Sequence, residues 1–516
     1  MNSIVDKINS LIPRAVKEGS LNKSLIQAYN GSREWGAQKK LCYAPFSSLF
    51  ISSLGLVRPC YANRMNVQYP DKGLSEIWFG TQFNNLRKKI DRNDLSGDCE
   101  FCDSCIKSND FGSLLAKKYD NPQFHNDISP SKSNKIYPRI IEFELDNTCN
   151  LECIMCDGNL SSAIRKNREK RPPLLRIYDD SFLKQLKTFI PHLKVAEFAG
   201  GAPFLIHIYY KIWDMILEVN PKCEILITTS ANTLNDKIKK LIARGRFNFN
   251  ISIDSLQKEN YEKIRVNGNF ERVMENILFY RKYCEEKTTS LCILVCPLRQ
   301  NWRELPDFIR FADKLGVRVN FHVVFKPYHH ALWSLPHGKL YEIYEYLSGF
   351  DPASGGTENT AVNKINKINY MNLVKQINIW YKKAVIREKE EEAKEQVLAR
   401  KIESAKNLFY ENLRNYIFIK NDISDKDKEE KILHIKTQIN TIFNGLPDTV
   451  SPEIVFTELA KYSINEVVYS IEHYSGGELL KKAKDIYNNL YSGLRDGVFS
   501  YKYVNDNEKY RLNMQY

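Results

Sequence analysis

Between Arg139 and Leu335 the chain alternates short apolar runs with longer amphipathic ones. The short runs are Arg139–Leu145, Val195–Ala199, Glu224–Thr229, Phe247–Ile253, Leu291–Cys296 and Arg318–Val324. Apolar residues at helical spacing fill the intervals, over Phe182–Ile190, Ile208–Val219, Leu234–Ala243, Tyr261–Glu285 and Arg303–Leu315. Six strands joined by five helices predict a parallel α/β sheet with right-handed crossovers. In such sheets the chemistry gathers where the strands end at their carboxyl side.

The flanks read differently. Ahead of the sheet, Leu49–Ser52 and Gly55–Cys60 predict a β-hairpin with Gly55 near its turn, bringing Cys42 and Cys60 together, and Leu74–Lys89 predicts a helix. Behind it, Asp351–Thr360 has the Pro and Gly content of a linker. From Ala361 onward the pattern is helical: Leu373, Ile377, Trp380 and Val385 recur at helical spacing, and Glu388–Lys406 is a Glu/Lys/Ala run that reads as a solvated helix face. The expected division is an N-terminal helical extension over 1–40, a cysteine-rich module over 41–130, the α/β domain over 131–350 and a helical domain over 351–516.

Composition adds boundaries rather than detail. The 516 residues are 43% hydrophobic and 27% charged, which excludes a disordered chain and allows two to four domains. The longest apolar runs, such as Leu291–Pro297, are too short to span a bilayer. Met1–Arg14 lacks the continuous apolar stretch of a secretion signal, so a cytoplasmic protein with reduced cysteines is expected. The formal charge is +13, yet Asp351–Tyr516 holds about 25 basic and 24 acidic side chains. Nearly all of the excess, and all twelve cysteines, lie in the front 350 residues.

The strand ends carry the candidate chemistry. The first run leads into Asp146-Asn147-Thr148 and a C-x3-C-x2-C loop, Cys149, Cys153 and Cys156. Three thiolates on one short loop can hold three irons of a cubane cluster and leave the fourth open, or they can form a zinc loop or three packed thiols. The second run ends in Gly200-Gly201-Ala202-Pro203, where the glycines permit close approach of backbone to a ligand and the proline fixes the exit. The third and fourth supply Ser230, Asn232, Ser252 and Asp254, short polar side chains suited to ribose hydroxyls or an amino-acid group, and equally to helix caps.

Taken in order, the cysteine loop, the Gly-Gly-x-Pro turn and the Ser252-Ile253-Asp254 strand end resemble the radical SAM superfamily over roughly Arg139–Leu335. The resemblance implies a partial (β/α)6 barrel, preceded here by a small cysteine-rich hairpin/helix module and followed by a mostly α-helical C-terminal domain. It implies a 4Fe–4S cluster on Cys149, Cys153 and Cys156, with S-adenosylmethionine on the open iron through its amino and carboxylate groups. Gly200, Gly201, Pro203, Ser230, Asn232, Ser252 and Asp254 would surround that cofactor, and Met155 would sit near its adenine. One departure is notable: the family's Gly-Gly-Glu-Pro is here Gly200-Gly201-Ala202-Pro203, without the carboxylate.

Cys42, Cys60, Cys99, Cys102 and Cys105 have the spacing of a metal site, with zinc and iron both open on ligand spacing alone. The Gly55-x4-Cys60 hairpin with its downstream cysteines resembles the SPASM and twitch modules of radical SAM enzymes. That implies one auxiliary iron–sulfur cluster with one thiol spare. Bound clusters carry negative charge, so the loaded protein is nearer +10. The remaining basicity suits an anionic substrate or an acidic reducing partner, such as flavodoxin or ferredoxin, and no nucleic-acid module accompanies it.

The implied chemistry is reductive cleavage of S-adenosylmethionine to a 5′-deoxyadenosyl radical that abstracts hydrogen from a substrate carbon. Cys296, at a strand's carboxyl end, is a candidate hydrogen-atom donor or a packed thiol. His322, Lys326, Tyr328, His329, His330 and Trp333 form either a substrate-binding stretch or a polar loop. Three functions follow: modification of a ribosomally made peptide, dehydrogenation or epimerisation of a sugar or other small metabolite, and a non-catalytic iron–sulfur or zinc protein.

Overall fold

Strict alternation of large apolar with polar residues builds the central strand Phe247–Ser252. Phe247, Phe249 and Ile251 are fully buried while Asn248, Asn250 and Ser252 between them are half-buried. In a strand these sets point to opposite faces, so this strand turns an apolar side to one face of the sheet and a polar side to the other. The computed structural model describes residues 21–112, 114–125, 136–352, 360–418, 424–444, 468, 471–475 and 477–478. They fall into two compact units, Met1–Val324 with Glu345–Gln376, and Phe325–Tyr344 with Ile377–Tyr516.

The first unit is built on an eight-stranded sheet of order β2-β1-β3-β4-β5-β6-β7-β8. Its strands are β1 (Ser48–Ser52), β2 (Val57–Arg58), β3 (Ile140–Glu144), β4 (Val195–Phe198), β5 (Glu224–Thr229), β6 (Phe247–Ser252), β7 (Leu291–Val295) and β8 (Arg318–Phe321). From β3 to β8 each strand pairs in parallel with the next in sequence. With right-handed crossovers, strictly sequential order puts every connecting helix on the same face, which is the winding of a partial (β/α)6 barrel. The six expected strands are all present.

The apolar face is packed by aromatic rings. Phe143 stacks on Phe198 at 4.8 Å, Phe198 meets Trp213 edge-on at 5.4 Å, and Phe249 lies 4.4 Å from Tyr280. Trp213 comes from helix His207–Val219 and Tyr280 from helix Phe270–Lys287. The opposite, polar face carries Glu142, Glu144, Glu197, Thr228 and Asn250, with Glu142 directly beside Glu197 and Thr228 beside Asn250.

Three features differ from the sequence pattern. The front hairpin joins the barrel sheet, because β1 pairs antiparallel with β2 and parallel with β3. Gly55 turns that hairpin at φ +82°, and a Cβ there would strike the carbonyl of Tyr69 at 2.5 Å. The expected helix Leu74–Lys89 breaks into Leu74–Phe79 and Thr81–Asp91 at Gly80, and Tyr261–Glu285 breaks into Lys258–Ile264 and Phe270–Lys287. At the far edge, the start of the long helix Ala361–Phe418 caps β8: buried Asn366 accepts from Val319 N–H (2.9 Å) and donates to Val317 O (3.0 Å). That occupies ladder groups an open edge would expose.

The second unit is helical, with apolar contacts joining Leu413 and Ile417 to Ile432, Ile435 and Ile439 of helix Asp425–Asn444. The side chains of 390–409, most of the Glu388–Lys406 run, lie outside the described residues, as do residues 1–20 of the N-terminal extension and 353–359 of the linker. No helix among the described residues is long and apolar enough to cross a membrane.

Tyr209 ties the strand ends that carry the site. Its hydroxyl accepts from Leu145 N–H at 2.9 Å and donates to Ala199 O at 2.7 Å, linking the exits of β3 and β4. Tyr209→Phe strands a buried N–H and is expected to cost about 1–3 kcal/mol in chemical denaturation, with the fold retained.

Candidate cluster and cofactor site

The loop after β3 is held by its own backbone from three sides. Asn147 Nδ2 donates to Gly158 O (2.8 Å), Ser162 Oγ bridges Cys149 N (3.1 Å) and Cys149 O (3.1 Å), and Ser161 Oγ donates to Leu151 O (2.7 Å). Across the barrel mouth, Glu152 N–H and Ile154 N–H donate to Val266 O and Ile264 O, both at 2.9 Å. The turn after β4 closes the third side: Ala202 N–H donates to Thr148 O at 2.8 Å. Gly200 and Gly201 have φ of +75° and +43°, and a Cβ on Gly201 would meet Thr148 O at 2.3 Å. The glycine pair therefore permits contact with the cysteine loop itself. Pro203 is buried at the start of the helical turn Pro203–Leu205.

The thiols of Cys153 and Cys156 are joined by a hydrogen bond, which lowers the Cys153 thiol to about 7 and raises that of Cys156. Burial raises Cys149. Beside them lies an ion pair absent from the sequence reading: Arg265 Nη2 is 2.7 Å from Asp254 Oδ2, with the two side chains 9% and 0% exposed. Arg265 Nη1 lies 3.9 Å from Cys153 Sγ, and its buried Nε has no acceptor among the described residues. The pair is close but not aligned as a hydrogen bond, so the guanidinium keeps donor capacity facing the thiols.

Asp254 is thus a keystone of the site. Its Oδ1 accepts from Cys296 N–H at 2.7 Å, and its backbone carbonyl accepts from Asn301 Nδ2 at 2.7 Å. Burial, with the negative charge of Asp254 beside it, holds the Cys296 thiol well above its ordinary pKa. Cys296 packs with Met155, Ile154, Ile264, Leu298 and Val324. The structure therefore brings Cys149, Cys153, Cys156, Met155, Asp254 and Cys296 to one place.

Other residues singled out in the sequence have local duties. Asn232 Oδ1 accepts from Asn269 N–H (3.1 Å), and Asn269 caps helix Phe270–Lys287. Ser230 Oγ accepts weakly from Asn232 N–H (3.4 Å), beside Ala231 at φ +54°. Ser252 is half-buried on the polar face. His322 follows β8, and burial pushes its imidazole below the ordinary range. Lys326, Tyr328, His329, His330 and Trp333 belong to the second unit, where Tyr328 packs edge-on against Trp333 at 5.4 Å.

The front module forms a second thiol centre. Cys42, Cys60, Cys99 and Cys102 line one cavity of about 390 Å³, part of it open to solvent, together with Pro59, Asn63 and Tyr119. Cys105 is buried, on the same helix as Cys102, Glu100–Lys107, but does not line the cavity. Burial raises all four lining thiols, Cys60 to about 12 and Cys99 to about 11. Asn63 Nδ2 donates to Cys99 Sγ at 3.4 Å. Among the described residues no three His, Cys, Asp or Glu side chains converge tightly enough for a single ion. Tetrahedral zinc draws its sulfurs to about 3.8 Å of one another, whereas a cluster spreads them around a larger body.

Arg265 was hidden from sequence reasoning by the expectation of one helix across Tyr261–Glu285. Two signals mark the break: Gly268, where a Cβ would meet Arg265 O at 2.7 Å, and Asn269, a preferred capping residue. Removing one partner of this buried pair leaves an uncompensated charge. Arg265→Ala is expected to cost about 3–5 kcal/mol of stability by denaturant titration, against under about 1 kcal/mol for the exposed pair of Arg244 and Asp214.

Two family models match the sequence: the Radical SAM superfamily over residues 144–312, and an iron–sulfur cluster-binding domain, SPASM, over residues 42–106. The chain is similar to a probable GTP 3′,8-cyclase of Methanocaldococcus jannaschii, 28% identical over 34% of this chain and 56% of that one. It is also similar to the GTP 3′,8-cyclase of Limosilactobacillus fermentum, 27% identical over 40% of this chain and 60% of that one. Among solved structures, the crystal structure of Streptococcus suis SuiB aligns with a TM-score of 0.32 at 13% identity, over 55% of this chain and 60% of that one. The chain spans under two thirds of each of these relatives. The two domains imply 4Fe–4S clusters and S-adenosylmethionine as cofactors. The cysteine loop and the glycine turn thus lie in a Radical SAM domain, and the four cavity thiols in an SPASM iron–sulfur domain in front of it.

Proposed function

We propose that this chain is a cytoplasmic enzyme that cleaves S-adenosylmethionine at the Cys149/Cys153/Cys156 site and modifies a ribosomally made peptide. The observation that carries the first half is the buried Arg265 guanidinium, 3.9 Å from Cys153 Sγ with Nε unmatched, facing a loop of three thiols. Three thiolates on a 2+ cluster core sum to about −1, and a fixed cation with spare donors favours that charge. The residues present therefore fit the group. When bound, cluster and S-adenosylmethionine would supply the radical that removes a substrate hydrogen. The protein's part is to pin the cysteine loop to Ile264–Val266 and to the Gly200–Gly201 turn, and to shield the site with Met155, Leu298 and Val324.

The front cavity fits an auxiliary cluster on Cys42, Cys60, Cys99 and Cys102, with Cys105 as the spare thiol. Flavodoxin or ferredoxin is the reductant in this reading. An SPASM module supports a peptide substrate, the frequent role of radical SAM enzymes so equipped.

The similarity to GTP 3′,8-cyclases favours a second reading, a small-molecule substrate. Against a triphosphate stands the polar face of the barrel, where Glu142 and Glu197 share Lys118 and, among the described residues, Glu144 pairs with no cation. Ala202 does not favour the non-catalytic alternative, since the contact this turn makes with the cysteine loop uses the Ala202 backbone N–H.

Reconstituted protein with dithionite and S-adenosylmethionine is expected to form 5′-deoxyadenosine, and Cys153→Ala is expected to form none. GTP should yield no cyclised product, while a peptide encoded beside the gene should change mass. A cyclised GTP product would replace the peptide reading with the nucleotide one. In the Cys149→Ala/Cys153→Ala/Cys156→Ala background, Cys105→Ser should keep the visible absorbance of the auxiliary cluster and Cys102→Ser should lose it.

A further inference from the structure

Ala202 leaves the turn after β4 without a hydrogen-bonding side chain, and the neighbouring strand places one beside it. Glu144 is the last residue of β3, half-buried on the polar face of the barrel. A Cβ built on Gly200 would come within 2.8 Å of Glu144 Cγ and 3.2 Å of its Cα. The stem of Glu144 thus fills the space that a side chain at 200 would need, and glycine there lets the acid lie along the turn.

The other two carboxylates of this face are already matched. Lys118 Nζ pairs with Glu142 at 2.9 Å and Glu197 at 2.7 Å, and Tyr119 donates to Glu142 at 2.6 Å. Glu144 has no such partner: among the described residues its carboxylate makes no hydrogen bond or ion pair. Burial, with Glu142 and Asp157 nearby, pushes its carboxyl up to about 7, as befits an acid lacking a donor or cation.

We propose that Glu144 accepts hydrogen bonds from the α-amino group of S-adenosylmethionine, taking the place of the acidic side chain missing at position 202. This rests on the cofactor reading above. Of the two electropositive centres of that molecule, the sulfonium has no hydrogen to donate, whereas the amino group does. An amino group held on a cationic iron is a polarised donor, and a carboxylate is its strongest neutral-pH acceptor among side chains. The position also suits the loop: the Gly200–Ala202 turn beside Glu144 is the one that touches Thr148, next to Cys149.

The test is equilibrium binding, without reductant, to the cluster-loaded full chain. The probes are S-adenosylmethionine and its analogue lacking the α-amino group. Glu144→Gln is expected to weaken S-adenosylmethionine about ten- to a hundredfold and to leave the analogue within about twofold. Glu142→Gln, whose acid is held by Lys118 and Tyr119, should leave the wild-type preference for the amino group intact. Equal loss of both probes in Glu144→Gln would mean a structural role and overturn the proposal, as would unchanged binding of both. A wild-type chain that carries its clusters yet binds no S-adenosylmethionine would instead overturn the cofactor reading, and the proposal with it.

Discussion

The buried pair of Asp254 and Arg265 is the interaction on which the rest of the site depends. Asp254 stands just beyond β6 and Arg265 just beyond the helix that follows it, so their contact closes a short crossover onto the sheet. The same aspartate fixes Cys296 at the exit of β7, and the backbone on either side of Arg265 accepts the cysteine loop from β3. Strand ends from three parts of the barrel are therefore referenced to one ion pair. Burying two charges is costly, and this pair is retained where its cation faces three thiols. Its placement makes sense if those thiols carry negative charge.

The second constraint is that both thiol centres hang on one sheet. The hairpin of the front module is paired to β3, the strand that leads into the cysteine loop, so the two centres are set by adjacent strands rather than by a flexible tether. Tyr119 belongs to both surroundings: it lines the four-thiol cavity and donates to Glu142 on the polar face. Lys118 beside it matches Glu142 and Glu197, whose carboxyl burial raises. The front module thereby completes the polar chamber of the barrel as well as providing its own cavity.

Much of this was legible in the sequence because period-two alternation is a strong signal. The Phe-Asn-Phe-Asn-Ile-Ser run of β6 could only be a strand with one apolar face, and the other barrel strands, such as Leu-Cys-Ile-Leu-Val of β7, were readable as short apolar runs between helical stretches. The thiol motifs were legible because cysteine spacing is local. Whatever depended on distant partners was not. Pairing of β1 with β3 joins segments some ninety residues apart, and nothing in Ser48–Ser52 names its neighbour. Glycine breaks at Gly80 and Gly268 were masked by continuous helical periodicity, which hid Arg265. Glu144 reads as one more polar residue in a strand until Gly200 is seen to make room for it. That Cys102 lines the cavity and Cys105 on the same helix does not is likewise a matter of helix orientation and not of spacing.

Everything above requires one chain to hold two distinct clusters, only one of which meets S-adenosylmethionine. Iron and sulfide content, taken with electron paramagnetic resonance of the reduced protein before and after adding S-adenosylmethionine, tests it most directly. The account predicts about eight irons and eight sulfides per chain, from two cubane clusters. It predicts two spectral components, one altered by S-adenosylmethionine and the other unchanged. Zinc in the front module with about four irons in all, or a spectrum indifferent to S-adenosylmethionine, would contradict it.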